Sequence, residues 1–220
     1  MVKIRKIPTR SFGSDGDLPD IPEIAEWVSK RKGLTGDLVS YQLERFFTVQ
    51  EDAGISWPCA GGAFYKGRVL ECLRETEGTD IIGELDLEMA SLAEDAQLFS
   101  SGVWFSVPSP GDLGLADHYY GDADETGNAL RKVYRRMLRG MRDAGAGGHV
   151  LLCSKPDQGD VEALAGKKTF FFSQDQSVES LSMILEHQGD IAVNPTGVNL
   201  IRDELAEQYE ISRLIVLDPD

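Results

Sequence analysis

Cysteine is scarce in this 220-residue chain: Cys59, Cys72 and Cys153 are its whole complement. They are an odd number, widely spaced and outside any CxxC, which excludes a disulfide framework and fits reduced thiols in a cytoplasmic protein. Histidine is as scarce. His118, His149 and His187 fall in three different expected elements, and no Cys/His spacing matches a zinc site. No apolar run approaches the roughly 20 residues that span a bilayer. The opening MVKIRKIPTR is basic but lacks the apolar stretch and small-residue cleavage site of a secretory signal. Cations are outnumbered, 22 Lys plus Arg against 37 acids, and the net charge of -15 argues against general affinity for nucleic acid or anionic membranes.

What is present is an ordinary globular balance, 41% hydrophobic and 27% charged, enough apolar side chain to bury a core. From Gly102 onward, short β-branched or aromatic runs alternate with helical stretches. Strands are expected at Val103–Val107, His149–Cys153, Lys168–Phe172, Asp190–Val193 and Ile211–Leu217. Helices are expected at Asp124–Asp143, near Asp160–Ala165, from an N-cap at Ser177 to His187, and at Gly197–Tyr209. Continuous apolar strands in a β-α-β alternation predict an α/β fold with a doubly wound, mostly parallel three-layer sheet. The first hundred residues are less regular. They read as an α+β module, with a helix at Glu23–Lys32, strands at Leu38–Val49 and Ala63–Arg74, and a helix at Asp86–Phe99. The boundary falls near Ser100, giving modules 1–100 and 101–220.

Parallel sheets bind ligands beyond the carboxyl ends of their strands, where crossover loops part and helix N-termini point inward. That edge carries Ser154, Lys155, Ser173, Asn194 and Thr196, a set suited to the polar or anionic groups of a small molecule. Lys155 is the one cation expected there. The loop from Pro108 to Asp124 is about 16 residues, longer than crossover loops usually are. It concentrates Asp117, His118, Tyr119 and Asp122, where a histidine beside carboxylates is a candidate general base and a tyrosine a candidate donor. The competing reading is a surface loop that caps a helix and packs its tyrosines. An EF-hand fails here because the twelfth position from Asp122 is Val133. A hard cation on Asp117, Asp122 and Asp124 is the alternative.

Three strings mislead. Gly145-Ala-Gly147-Gly148 lies after a helix and before a strand, the reverse of a phosphate loop. Gly111-Asp-Leu-Gly114 follows a strand but lacks GxGxxG and the Walker lysine. Asn194-Pro-Thr-Gly197 is similar to a string of pyridoxal-phosphate aminotransferases, yet no lysine stands in a Schiff-base context, so it reads as turn and cap. No cofactor is named by the sequence. Cys59 lies in a turn where a thiol could be exposed, whereas Cys153 reads as a small core residue.

On the helix at Asp124–Asp143, Leu130, Val133, Tyr134, Met137, Leu138 and Met141 share one face. Arg131, Arg135, Arg139 and Arg142 form the opposite stripe, with Lys132 and Arg136 beside it. A solvated face, an acidic neighbour in the same chain, or a homo-oligomer contact would each suit that stripe. The sequence therefore predicts an α/β protein that binds a small molecule, with a non-catalytic subunit using the Arg-rich helix as the alternative.

Overall fold

The computed structural model describes residues 7–14, 20–31 and 36–217. Helix α1 (Ile21–Lys30) starts where the Asp20 carboxylate accepts the Glu23 N–H, with Pro22 in the first turn. Helix α2 (Leu38–Asp52) follows, where a strand is expected at Leu38–Val49. Its aromatic and β-branched content favours a strand locally. Asp37, however, accepts the Ser40 N–H at 2.9 Å, and the inward residues Val39, Leu43, Phe47 and Gln50 recur every three or four positions.

Strand β1 (Cys59–Gly61) leads through a 3₁₀ turn at Ala63–Tyr65 into helix α3 (Lys66–Cys72). The expected strand at Ala63–Arg74 is thus helical until strand β2 (Leu73–Glu77), because Arg68, Val69 and Cys72 bury one helical face. Strand β3 (Asp80–Leu87) buries every second residue, and it occupies Asp86 and Leu87 before helix α4 (Ala90–Gln97) begins. The helix expected at Asp86–Phe99 is shortened to that extent.

The second half follows the pattern closely. Strand β4 (Trp104–Pro108) and the short β5 (Ala116–Asp117) precede helix α5 (Ala123–Ala144). Then come β6 (Gly148–Cys153), α6 (Gln158–Leu164), β7 (Thr169–Ser173) and α7 (Val178–Leu185), the last capped by Ser177. Strand β8 (Asp190–Val193) is followed by α8 (Gly197–Leu200), a wider π turn at Ile201–Leu205, and β9 (Arg213–Val216). The strand tip at Asp218-Pro219-Asp220 lies outside the described residues.

The protein is α/β with a mostly parallel sheet. Strands β1, β4, β6 and β7 pair in that order, all parallel, and β8 pairs parallel with β9. Two side-chain amides join the pieces. Gln188 accepts the Phe171 N–H (2.8 Å) and donates to the carbonyls of Phe171 (3.1 Å) and Asp190 (2.8 Å). At the other end, Gln176 donates to the Ser173 carbonyl (2.8 Å) and accepts the Asn194 N–H (3.3 Å). A side sheet, β2-β3-β5, carries one antiparallel and one parallel pairing.

Strand order and face occupancy add detail to the expected winding. The strands succeed one another in chain order, without a reversal. Phe105, Val107, Leu151, Cys153 and Phe171 pack into the core that the helices share. The opposite face gathers Cys59, Val150, Phe170 and Ala192 with Phe12, Trp104 and Ile215. Phe12 stacks on Phe170 and Phe172 at 5.3 and 4.9 Å, and Arg213 on β9 lies over the ring of Trp57 before β1. The sheet is curled, and its inner face closes on itself. Gly61 and Gly62 permit the closest backbone approaches at the end of β1. A Cβ on Gly62 (φ 140°) would stand 1.9 Å from the Ser14 carbonyl oxygen, and one on Gly61 (φ 77°) 2.3 Å from that of Ser106. Residues on both sides of Ser100 share this sheet, since β1 pairs with β4.

Candidate functional site

The carboxyl ends of β6, β7 and β8 bring Ser154, Lys155, Ser173, Asn194 and Thr196 to one edge of the parallel strands. Most of their polar groups are engaged. The Ser154 N–H donates to Asp112 at 2.9 Å, and the same carboxylate oxygen accepts the Ser109 hydroxyl at 2.8 Å. Asp112 therefore ties the tip of β4 to that of β6, a role that sequence reasoning missed because a lone loop aspartate has no distinguishing spacing. Ser173 is buried and donates to the Asp175 carbonyl at 2.9 Å. Asn194 Oδ1 accepts the Thr196 hydroxyl (2.8 Å) and the Gly197 N–H (2.7 Å), closing the turn before α8. Lys155 differs. Its side chain is 60% exposed, and its one ion pair among the described residues is with Glu179, at 3.8 Å.

The other four candidates belong to the side sheet. Asp117 ends β5, and its carboxylate accepts the N–H groups of Tyr119 (3.0 Å), Tyr120 (2.9 Å) and Gly121 (2.7 Å). Those donors, Tyr119 first, hold its pKa down to about 2. His118 stands 3.5 Å from Asp80, with both side chains largely exposed. Tyr119 is exposed and meets Tyr120 edge-on, while the Tyr120 hydroxyl accepts the Leu85 N–H at 2.9 Å. Asp122 caps α5 by accepting the N–H groups of Asp124 and Glu125. No hydrogen bond or ion pair among the described residues joins this quartet to Lys155. The loop is long because it must reach β3 and return to the start of α5.

Asp117→Asn tests that reading of the turn. Because the folded pKa is depressed, the ionised carboxylate contributes stability above the ordinary value of 3.8, lost as pH falls toward about 2. The variant should melt lower than the wild type at pH 7, with the gap narrowing through that acid window. Melting curves at a series of pH values check it, and a gap independent of pH would refute it.

All three thiols are buried and free. Cys59 is not exposed in its turn: it forms β1, and Gln50 brackets it by accepting its N–H and donating to its carbonyl. Burial pushes the thiols of Cys59 and Cys153 up to about 12 and that of Cys72 to about 11, so none is a ready nucleophile. No group of three His, Cys, Asp or Glu side chains among the described residues is placed to hold a metal ion.

The arginine stripe of α5 turns largely toward this chain's own groups. Arg131 reaches Asp160 (3.4 Å), Asp157 (3.6 Å) and Asn128, and Arg135 donates to the Ala163 carbonyl at the end of α6. Arg136 pairs with Asp86, and Arg139 meets Asp143 at 3.7 Å. Arg142 lies close enough to the buried His149 to oppose its protonation. No helix among the described residues is long and apolar enough to cross a membrane.

No family model matches the chain, and no curated protein matches it. Among solved structures it is similar to a Listeria monocytogenes protein provisionally named a vitamin-B12-independent methionine synthase. The TM-score is 0.61 at 14% identity, over 96% of this chain and 91% of that one. A B12-independent methionine synthase from Shewanella sp. W3-18-1, in complex with selenomethionine, gives 0.46 at 13% identity, over 77% and 58%. At such identities the Listeria likeness shows a shared α/β fold.

Proposed function

We propose that this protein binds a small anionic molecule at the carboxyl edge of its parallel sheet. The observation that carries this reading is Lys155, an exposed and loosely paired cation at the tip of β6, beside the tips of β7 and β8. Parallel α/β sheets keep their ligand sites at this edge, because the strand-to-helix loops there vary without disturbing the core. The binding groups are Lys155 for the negative charge and Ser154, Asn194 and Thr196 for neutral polar groups, with the buried Ser173 holding the β7 loop beneath them. A fold neighbour named for the synthesis of methionine, a small molecule, supports the same class of ligand.

A thermal-shift screen of desalted protein with nucleotides, S-adenosylmethionine, coenzyme A, methionine and phosphate tests it. A ligand at a hundred times its Kd stabilises by about 2.7 kcal/mol, which raises the midpoint of a chain this size by roughly 5–10 °C. Lys155→Ala should weaken such a ligand about tenfold, the effect of losing one charge-assisted contact. A ligand whose affinity is the same in that variant would remove Lys155 from the site.

A further inference from the structure

The opposite end of the curled sheet holds a cavity of about 440 Å³ lined by Arg10, Ser56, Trp57, Trp104 and Arg213. Strand register assembles it: Arg10 bridges to Trp57, Trp104 pairs with Cys59, and Arg213 pairs with Asp190. The Arg10 guanidinium lies 4.9 Å over the Trp104 ring and 4.8 Å over Phe170, and that of Arg213 lies 5.6 Å over Trp57. Such stacking holds a guanidinium in place and leaves its N–H edge free to bind.

The charge balance of this cavity is unusual for so acidic a chain. Asp190 approaches Arg213 at 3.7 Å, while no carboxylate among the described residues comes within 4.0 Å of Arg10. Burial disfavours the charged form of Arg10, Asp190 favours it, and Arg213 opposes it. Two guanidinium groups thus share one carboxylate beside two indoles, and Trp57 is 48% exposed.

We infer that this cavity is a second binding site, for a small anion carrying a flat ring. The negative group is taken by Arg10 and Arg213, and the ring lies against the exposed Trp57 indole. Guanidinium pairs recognise planar carboxylates and phosphates through paired N–H donors, and indole faces accept a flat apolar ring.

Tryptophan fluorescence tests it, since Trp57 and Trp104 are two of the three tryptophans and Trp27 sits apart on α1. Desalted protein is titrated with phenyl phosphate, benzoate and phenol. Both anions should give a saturable change in emission, and phenol, which has the ring without the charge, should bind about tenfold more weakly. Arg213→Met should weaken the anions about tenfold and leave phenol unchanged, while Lys155→Ala should change none of them. Arg213 is half exposed, so its removal leaves the fold in place; Arg10→Met is the second variant, with circular dichroism as the folding control. No saturable change at about 10 mM anion, ten times a Kd of 1 mM, overturns the site. Equal anion affinity in wild type, Arg213→Met and Arg10→Met also overturns it.

Discussion

Replacing Asp95 with alanine should lower the unfolding free energy by about 3–5 kcal/mol, the usual cost of stripping one partner from a buried ion pair. Asp95 is 2% exposed and accepts from Arg68 Nε at 2.8 Å and from the Tyr65 hydroxyl at 2.9 Å. Arg68 is itself buried. Burial would lower its pKa, but Asp95 and Asp37 outweigh that and hold the guanidinium firmly charged. Removing Asp95 strands two donors at once, one of them charged, with Asp37 and Glu71 left to share Arg68. For 220 residues the melting midpoint should fall by roughly 10 °C. Joining Asp95→Leu with Arg68→Met should cost less than the sum of the single changes, because matched apolar groups replace a buried pair at little net loss. Strict additivity in that cycle would show that the two side chains do not act together.

The second large effect is a gain. His149, at the start of β6, is fully buried, and neither of its ring nitrogens has a hydrogen-bond partner among the described residues. Burial, aided by the Arg142 charge, pulls its pKa from 6.5 to about 3. The unfolded chain therefore binds a proton that the folded chain refuses between those values. Stability that is complete above pH 6.5 is lost as pH falls toward 3. At pH 4.5 this loss is about 3 kcal/mol, from two pKa units at 1.36 kcal/mol each. His149→Leu removes both the titration and two unpaired buried nitrogens, at similar side-chain volume. The variant should be more stable than the wild type at pH 4.5 by about that amount, and the difference should shrink toward pH 7. Urea unfolding at the two pH values decides it. Equal loss of stability in both proteins on acidification would assign the acid sensitivity elsewhere.

Both sites lie outside the edge where the ligand-binding residues were sought, and neither is visible in the chain as a pattern. Arg68 and Asp95 are 27 residues apart and sit on α3 and α4, which meet only in three dimensions. Arg10, Trp57, Trp104 and Arg213 are spread over nearly the whole sequence. Only the tertiary fold gathers them: Trp104 starts β4, Arg213 starts β9, and Arg10 and Trp57 meet in a bridge just ahead of β1. Lys155, by contrast, is legible from the order of elements alone: the second residue after a buried parallel strand stands at its tip.

The sequence by itself determined the second half of this protein. There the apolar runs are short and continuous, the helix from Ala123 to Ala144 has a single buried face, and Asp122, Asp157 and Ser177 cap their helices by local hydrogen bonds. Period and capping are local physics, and nothing distant competes with them. Tertiary structure decided the rest. Leu38–Asp52 and Lys66–Cys72 carry residues tolerated in either state, and they are helical because one helical face meets the core. The pairing of β1 with β4, the two glutamine bridges between β7 and β8, and the placement of Asp117 in a side sheet rest on partners distant in sequence or on other elements. Such contacts form between distant segments once the chain is compact, and residue spacing carries no record of them.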